Sequence, residues 1–240
     1  MEIHLGCSGW FYWHWRGLLY PVDAPTKSWF PHYTGTFDTV ELNAPFYRWP
    51  RPATVRRWVR EAPATFHYSV KVNQEITHER KMVRTKRLIQ DFYEIGPLLG
   101  SQLGCFLFQF PPSYKYTAAR LKCIVAQLDP RWRNVVEFRH RSWWRQAVDR
   151  AFAKRGITFC AVSSPRLAET LPPRAERLYV RFHGRSRWYR HDYTTEELTV
   201  WAQRIANSGA KEAWLYFNND REGYALKNAL ELRALLAERL

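Results

Sequence analysis

Short apolar runs alternate with segments of helical periodicity along the whole chain, and this alternation restricts the fold more than any other feature. Eight runs have the length and composition of strands. They are Ile3–Gly9, Thr39–Asn43, His67–Asn73, Cys105–Phe110, Asn134–Arg139, Thr158–Ser163, Arg177–His183 and Glu212–Asn218. Between them, apolar residues recur at i, i+3, i+4 and i+7 over 55–62, 121–128 and 198–205, which predicts helices with one buried face. Thr194 and Glu197 predict a capping box where the third helix begins.

The strand–helix order and the chain length together predict an α/β fold, a TIM-like (β/α)8 barrel. The 240 residues are close to the roughly 250 of a complete barrel. Prolines interrupt helices, so we expect irregular first and sixth βα connections. These prolines are Pro21, Pro25 and Pro31 in the first connection and Pro165, Pro172 and Pro173 in the sixth. No linker-like segment divides the chain, which predicts a single domain over residues 1–240.

The charge balance favours anionic partners. Lys and Arg total 37 against 22 Asp and Glu, a formal net charge of +15. Such a charge favours nucleic acid or phosphate esters as partners, and its alternative origin is solvated surface charge without function. Four cysteines without a C-x-x-C pair imply neither zinc nor disulfides. No leader pattern and no membrane-spanning apolar stretch occur, so we expect a cytoplasmic protein with no membrane partner.

Polar side chains recur near the carboxyl ends of the predicted strands, where barrel enzymes place their active sites. Because strand residues two apart share a face, these polar residues fall on common faces. They are Glu41 with Asn43, Lys71 with Ser69 and Asn73, Glu137 with Arg139, Arg181 with His183, Tyr216 with Asn218, and Gln109. One interpretation is a self-satisfied ion network that joins Glu41 to Lys71 and Glu137 to Arg139 or Arg181. The other is a basic pocket in which Lys71, Arg139 and Arg181 hold an anion.

The segment from Trp10 to Trp15 concentrates aromatic rings after the first strand. Regular periodicity cannot bury all of them on one face. Exposed rings beside cations stack on bases or sugars, and the alternative is a lid that packs over the end of the fold.

Several stretches together resemble the YecE-like family, a bacterial domain of unknown function (domain of unknown function 72). They are GCSGW at 6–10, FDTVELNAPFY at 37–47, YSVK at 68–71 with ITH at 76–78, FQFPP at 108–112, VEFRH at 136–140, YVRFHG at 179–184 and YFNND at 216–220. The resemblance spans the chain and implies a TIM-barrel-like fold, but it supplies no reaction. Its motif positions hold Ser8, Glu41, Asn43, Tyr47, Lys71, His78, Gln109, Glu137, Arg139, Arg181, His183, Asn218, Asn219 and Asp220.

Among barrels, this family is distantly similar to the endonuclease IV and xylose isomerase group, an analogy that suggests phosphodiester or sugar chemistry. Those relatives hold metals with several His and carboxylate ligands. Here Glu41, Glu137 and His183 are the obvious inward candidates, too few for a multi-zinc cluster, so the alternative is a single divalent metal. No other cofactor is predicted.

Three functions follow from these residues. The leading hypothesis is a hydrolase for phosphate esters, with Glu41 or Glu137 as general base and His183 as general acid. Its ligand is an anionic small molecule or nucleic acid, bound by the strand-end residues together with Ser8, Trp10, Tyr47 and His78. The alternatives are a non-catalytic DNA- or RNA-binding protein and a sugar-processing enzyme.

Overall fold

The computed structural model describes residues 1–173 and 175–239, which form an α/β fold with parallel strands. The strands are β1 (Glu2–Cys7), β2 (Thr39–Leu42), β3 (His67–Lys71), β4 (Leu103–Gln109), β5 (Asn134–Glu137), β6 (Thr158–Phe159), β7 (Ala161–Ser163), β8 (Arg177–Phe182) and β9 (Glu212–Phe217). The helices are α1 (Trp29–Thr34), α2 (Ala44–Tyr47), α3 (Pro52–Glu61), α4 (Lys86–Tyr93), α5 (Ile95–Leu99), α6 (Ala118–Gln127), α7 (Gln146–Ala153), α8 (Thr195–Ala206) and α9 (Tyr224–Ala237).

Most predicted strands end one or two residues earlier than the sequence indicates. The strands predicted to reach Asn73 and Arg139 end at Lys71 and Glu137. Several polar residues predicted on strands therefore lie just beyond them, where the chain leaves the sheet.

The prediction of one strand over Thr158–Ser163 is wrong, because the chain forms two short strands there. β6 pairs with β5, and β7 pairs with β8. Cys160 lies between them, and its N–H donates to the Val136 carbonyl. The run changes sheets at this residue although its composition is uniform.

The chain divides into two compact units, and the first comprises residues 1–41 and 161–240. Its sheet has the order β1-β9-β8-β7. The predicted capping box at Thr194 and Glu197 is confirmed at the start of α8, and α8 and α9 pack together. The rings of Phe182 and Phe217 stack in its core with centroids 4.3 Å apart.

Both proline-containing connections are irregular, as predicted. Between β1 and β2 the chain forms 3-10 turns at Trp13–Trp15 and Thr26–Ser28 and the six-residue α1. After β7, the described residues 164–173 contain neither helix nor strand.

Gly6 in β1 allows a close backbone approach. A Cβ atom at this position would lie 2.1 Å from the Thr39 carbonyl oxygen and 2.8 Å from the Tyr33 hydroxyl. Any side chain at residue 6 would therefore push the first residue of β2 away from β1.

The second unit comprises residues 42–160. Its strands β3, β4, β5 and β6 follow one another in the sheet in chain order. The rings of Phe138 and Trp143 stack at 3.8 Å in its core. The predicted helices are present as α3 and α6.

Closure of the strands into a barrel and a single domain over residues 1–240 stay predictions. None of the described helices has the length and apolar character needed to cross a membrane.

Candidate functional site

Glu41 is the centre of a hydrogen-bonded group in the first unit, which we call the Glu41 cluster: Ser8, Glu41, Tyr179 and Arg181. The Ser8 hydroxyl and the Arg181 Nη2 donate to Oε1 at 2.8 and 2.6 Å, and the Tyr179 hydroxyl donates to Oε2 at 2.7 Å. Tyr179 and Arg181 are two residues apart on β8, so their side chains share a face. Glu41 and Arg181 are almost fully buried.

The chemistry of the Glu41 cluster is that of a paired buried charge. Both carboxylate oxygens accept hydrogen bonds, and the guanidinium lies against one of them. A buried ion pair is tolerated when hydrogen bonds satisfy its remaining polar atoms, and both oxygens of Glu41 accept such bonds here. The arrangement therefore suits a structural network, and the sequence reasoning did not foresee the contribution of Tyr179.

The other predicted residues of the first unit lie in smaller groups. The Asn218 amide nitrogen lies 3.2 Å from Nδ1 of His183. The buried Asn219 donates to the His191 carbonyl at 2.7 Å and to the Asn228 side chain at 2.8 Å, so it braces the start of α9.

Asp220 accepts hydrogen bonds from the aromatic segment. Trp15 Nε1 lies 2.9 Å from Oδ2 and 3.1 Å from Oδ1, and His14 Nε2 lies 2.9 Å from Oδ2. Burial raises the pKa of the Asp220 carboxyl, and the bonds from Trp15 and His14 oppose that shift. Asp220 thus fixes this segment to the turn after β9.

The aromatic segment is partly buried and partly exposed. Trp15 is fully buried, and the Trp10 ring packs on Phe30 at 4.7 Å. Phe11 and Trp13 are 56% and 60% exposed, and the Arg16 guanidinium lies 4.8 Å from the Trp13 ring centroid. Trp15 therefore packs inside the fold, and Trp13 is exposed enough for the predicted stacking on a ligand, which stays a prediction.

The second unit contains a different polar group, which we call the Lys71 cluster: Lys71, His78, Gln109, Glu137 and Arg139. Lys71, Gln109 and Glu137 are the last residues of three neighbouring strands, β3, β4 and β5. His78 and Arg139 follow β3 and β5 along the chain. Gln109 and Glu137 are register partners at the carboxyl ends of β4 and β5. Arg139 Nε donates to Glu137, an ion pair that the network interpretation predicts.

The ring of Phe46 contacts two members of the Lys71 cluster, Lys71 and His78. Lys71 Nζ lies 3.8 Å from the ring centroid, and the His78 ring packs edge-on at 4.9 Å. Gln109 Nε2 lies 3.5 Å from His78 Nε2. Burial lowers the pKa of His78 to about 4, and the charges of Lys71 and Arg139 add to the shift. His78 is therefore neutral at pH 7, within hydrogen-bond reach of a neighbouring group.

His78 lies on an unusual backbone segment. Glu75–Glu79 form a π-helical turn, and three non-glycine residues beyond it, Lys81, Met82 and Arg84, have φ between 49° and 66°. Single π turns and left-handed non-glycine residues cost free energy and occur disproportionately at functional sites. This segment is therefore an argument for function that the sequence pattern did not supply.

Two further predicted residues flank α2. The Asn43 carbonyl accepts the Phe46 N–H at 3.1 Å where the helix begins. Tyr47 packs against Phe46 with ring centroids 4.9 Å apart and is 71% exposed. Tyr47 therefore supports the ring under Lys71 and presents its hydroxyl to solvent.

The predicted metal ligands Glu41 and Glu137 are engaged by arginines. Among the described residues, a different set has suitable geometry: ligand atoms of Glu2, His4 and Glu212 lie within 4.8 Å of one another at the amino ends of β1 and β9. Arg177 also pairs with Glu212 and supplies positive charge there.

Comparisons with known proteins place this geometry in a family. The family model described as "Protein of unknown function DUF72" matches residues 4–240. The chain is 28% identical to the UPF0759 protein YunF of Bacillus subtilis (strain 168) over 272 residues, which covers 98% of this chain and 94% of that protein.

Two solved structures have the same fold. A DUF72 family protein (TM1631) of Thermotoga maritima MSB8 matches with a TM-score of 0.87 and 27% identity, covering 99% of this chain and 100% of that one. A DUF72 family protein (EF0366) of Enterococcus faecalis V583 matches with a TM-score of 0.83 and 22% identity, covering 98% and 96%. The resemblance inferred from the motifs is confirmed.

Proposed function

Since the chain belongs to DUF72, a family of proteins of unknown function, we propose a ligand from its own residues: the Lys71 cluster binds a phosphate-containing anion. The observation that carries this proposal is the contact of Lys71 and His78 with one ring, that of Phe46, beside Gln109. An ammonium, a neutral imidazole and an amide together offer charge and hydrogen bonds to phosphate oxygens.

The electrostatics of the Lys71 cluster support an anion. Arg139 pairs with Glu137, and the ammonium group of Lys71 lies on the Phe46 ring beside the neutral His78. Lys71 is only 9% exposed, and charges in a partly buried site interact more strongly than in water. Burial is the main cause of the low pKa of His78, and the charges of Lys71 and Arg139, which add to it, would favour an anion.

The reaction that we propose for the bound ligand is hydrolysis of a phosphate ester. Glu137, ionised beside Arg139, would accept a proton from the attacking water, and Arg139 would stabilise charge on the phosphoryl oxygens. The water oxygen would bond to phosphorus as the bond between phosphorus and the ester oxygen breaks. Glu137 would then pass the proton that it accepted to the leaving ester oxygen. The roles of Glu41 as general base and of His183 as general acid stay predictions. The location of the site at the mouth of a barrel also stays a prediction.

Calorimetric titration with inorganic phosphate and ribose 5-phosphate tests the ligand. Lys71→Met should weaken binding at least about tenfold, since it removes a charge-assisted contact. Lys86→Met, which removes an exposed lysine from α4, is the matched control and should bind like the wild type. Equal affinities of wild type and Lys71→Met for both ligands would exclude the proposal.

A second candidate function is nucleic-acid binding by the exposed rings. The Arg16 guanidinium beside the exposed Trp13 favours it, since rings and cations together bind single strands. Affinity for single-stranded DNA should fall steeply with salt and drop at least about fivefold in Trp13→Ala. No retention of the protein on DNA or RNA at low salt would exclude this function.

A further inference from the structure

A pocket of about 310 Å³ lies in the second unit, and no residue of the Lys71 cluster lines it. It is formed by the end of α2, the start of α3 and the link between them. Its lining residues are Ala44, Pro45, Arg48, Trp49, Pro50, Arg51, Thr54 and Trp58. Ligand sites span roughly 300–1,000 Å³, so this volume suits one small ligand.

Flat apolar groups dominate the walls of this pocket. Trp49 is half-buried, and the Phe92 ring packs edge-on against it at 5.0 Å, which restrains the indole. Trp58 is 9% exposed, and its carbonyl accepts a hydrogen bond from the Tyr68 hydroxyl at 2.8 Å. A restrained indole with one accessible side is a platform on which a planar heterocycle stacks.

The polar part of the lining is cationic. Arg48 and Arg51 are exposed, and the lining contains no carboxylate. In the part of the chain that the structure describes, neither guanidinium has a hydrogen-bond or ion-pair partner. By contrast, Arg80 and Arg131 in the same unit bind Glu75 and Asp129 at 2.7 and 2.6 Å. Arg48 and Arg51 are therefore available to an external anion.

The backbone adds to this positive potential. Arg51 immediately precedes the ten-residue α3, and its carbonyl accepts the Thr54 N–H at 2.9 Å. The positive end of the α3 dipole thus lies at Arg51, one of the lining residues, and such an end favours phosphate.

We propose that this pocket binds one nucleotide unit, with the base stacked on Trp49 and the phosphate held by Arg48 and Arg51. The volume of about 310 Å³ lies at the lower end of the range for small-ligand sites, which suits one nucleotide unit. The unit is a free nucleoside phosphate or one residue of a single strand, since both present the same chemistry. The site is separate from the Lys71 cluster and does not require that cluster to bind phosphate.

The pocket and the Lys71 cluster share the α2 turn. Pro45 lines the pocket, and its carbonyl accepts the Asn73 amide at 3.0 Å just beyond β3. Phe46, the next residue, contacts Lys71 and His78. The α2 turn therefore connects the walls of the pocket with the Lys71 cluster.

Calorimetric titration of the full chain with adenosine, AMP, ribose 5-phosphate and an eight-nucleotide single-stranded DNA tests the proposal. We expect AMP to bind at least about tenfold more tightly than ribose 5-phosphate, because only AMP has a base to stack. Trp49→Leu should remove this preference, and Trp49→Phe, which keeps a ring, should restore most of it. The two variants together separate stacking from any loss of folding.

The arginines are tested with the double variant Arg48→Met/Arg51→Met. It should weaken AMP binding at least about tenfold and leave adenosine binding unchanged, whereas Arg56→Met on the exposed face of α3 should behave like the wild type. Tighter binding of the oligonucleotide than of AMP would identify a single strand as the source, and equal binding would identify the free nucleotide.

Three results would overturn the proposal. They are no binding of AMP or the oligonucleotide, equal affinity for AMP and ribose 5-phosphate, and unchanged AMP binding in the arginine double variant. If Lys71→Met abolished AMP binding and the arginine double variant did not, the nucleotide would occupy the Lys71 cluster. That result would support the proposed function and refute the pocket, so the two proposals fail separately.

Discussion

The Glu41 cluster and the Lys71 cluster begin from similar sequences and reach different chemistries. Each places a carboxylate and an arginine near the carboxyl ends of parallel strands. In the first unit, three donors converge on both oxygens of Glu41. In the second, a lysine and a neutral histidine meet on an aromatic ring beside a backbone segment with left-handed residues. Polar residues at strand ends thus form a closed hydrogen-bonded group in one unit, and in the other they form the site that we propose for a ligand.

The most severe test of this comparison is the loss of the Glu41 carboxylate. Glu41→Ala should lower the free energy of unfolding by about 3–5 kcal/mol, because it removes the charge partner of the buried Arg181 and the acceptor of two hydroxyls. Denaturant unfolding measures this. Tyr179→Phe, which removes one hydrogen bond to the charge, should cost about 1.5–3 kcal/mol. A Glu41→Ala variant as stable as the wild type would contradict a structural role.

Lys71→Met should have the opposite profile. The substitution keeps an apolar stem of similar length on Phe46, so the free energy of unfolding should fall by less than it does in Glu41→Ala. Phosphate affinity should nevertheless fall at least about tenfold. Chemical denaturation and calorimetric titration of the same preparation give both numbers. A large loss of stability without a loss of phosphate binding would show that the Lys71 cluster, like the Glu41 cluster, has a structural role.

The pH dependence of stability should show the low pKa of His78. The folded-state pKa, about 4, lies below the ordinary value of 6.5, so the unfolded chain binds more protons between these values. Stability should therefore be lost as pH falls from about 6.5 through 4, and His78→Gln should remove that part of the dependence. Bound phosphate should raise the pKa of His78, so the ratio of wild-type to His78→Gln phosphate affinity should increase as pH falls, a ratio from which the protonation of phosphate itself cancels. Unfolding curves and titrations at pH 5 and pH 7.5 measure both effects.

The titration of Asp220 should change the free energy of unfolding less than that of His78 does, and its contribution should be lost as pH rises instead of as pH falls. Burial raises its pKa above the ordinary 3.8, so its contribution to stability is fully present below that value and is lost as pH rises through the folded pKa. Asp220→Asn keeps acceptor capacity for Trp15 and removes the titration. The difference in unfolding free energy between wild type and variant should thus shrink toward low pH. A difference independent of pH would assign Asp220 a purely geometric role.

Local pattern predicted the elements well where one residue type determines the outcome. Helix α8 begins at the Thr194 capping box. Polar residues lie at or just beyond the ends of the strands, and the alternation of side chains along a strand predicts which of them share a face. The break at Cys160 could not be predicted, because β6 and β7 differ only in the strands with which they pair. Pairing partners are distant in sequence and leave no trace in local composition.

The candidate sites were predicted less completely than the strands. Parity identified Glu41, Lys71 and Arg181, but Tyr179 and Phe46 were missed because each reads as an ordinary apolar core residue. The segment RWPRP at 48–52 did carry a signal: two arginines, a tryptophan and two prolines in a short link. Such a composition between two helices indicates an exposed cationic and aromatic surface, and it marks the pocket.

The missing side chain of Gly6 has a consequence for how this sequence can vary. The Thr39 carbonyl occupies the place of a Cβ, and Ser8 and Glu41, two residues beyond on the two strands, depend on that approach to meet. A library randomised at residue 6 and selected for folded protein should return glycine almost alone. The requirement for a hydrogen atom in place of a side chain at residue 6 thus restricts which sequences can form the Glu41 cluster.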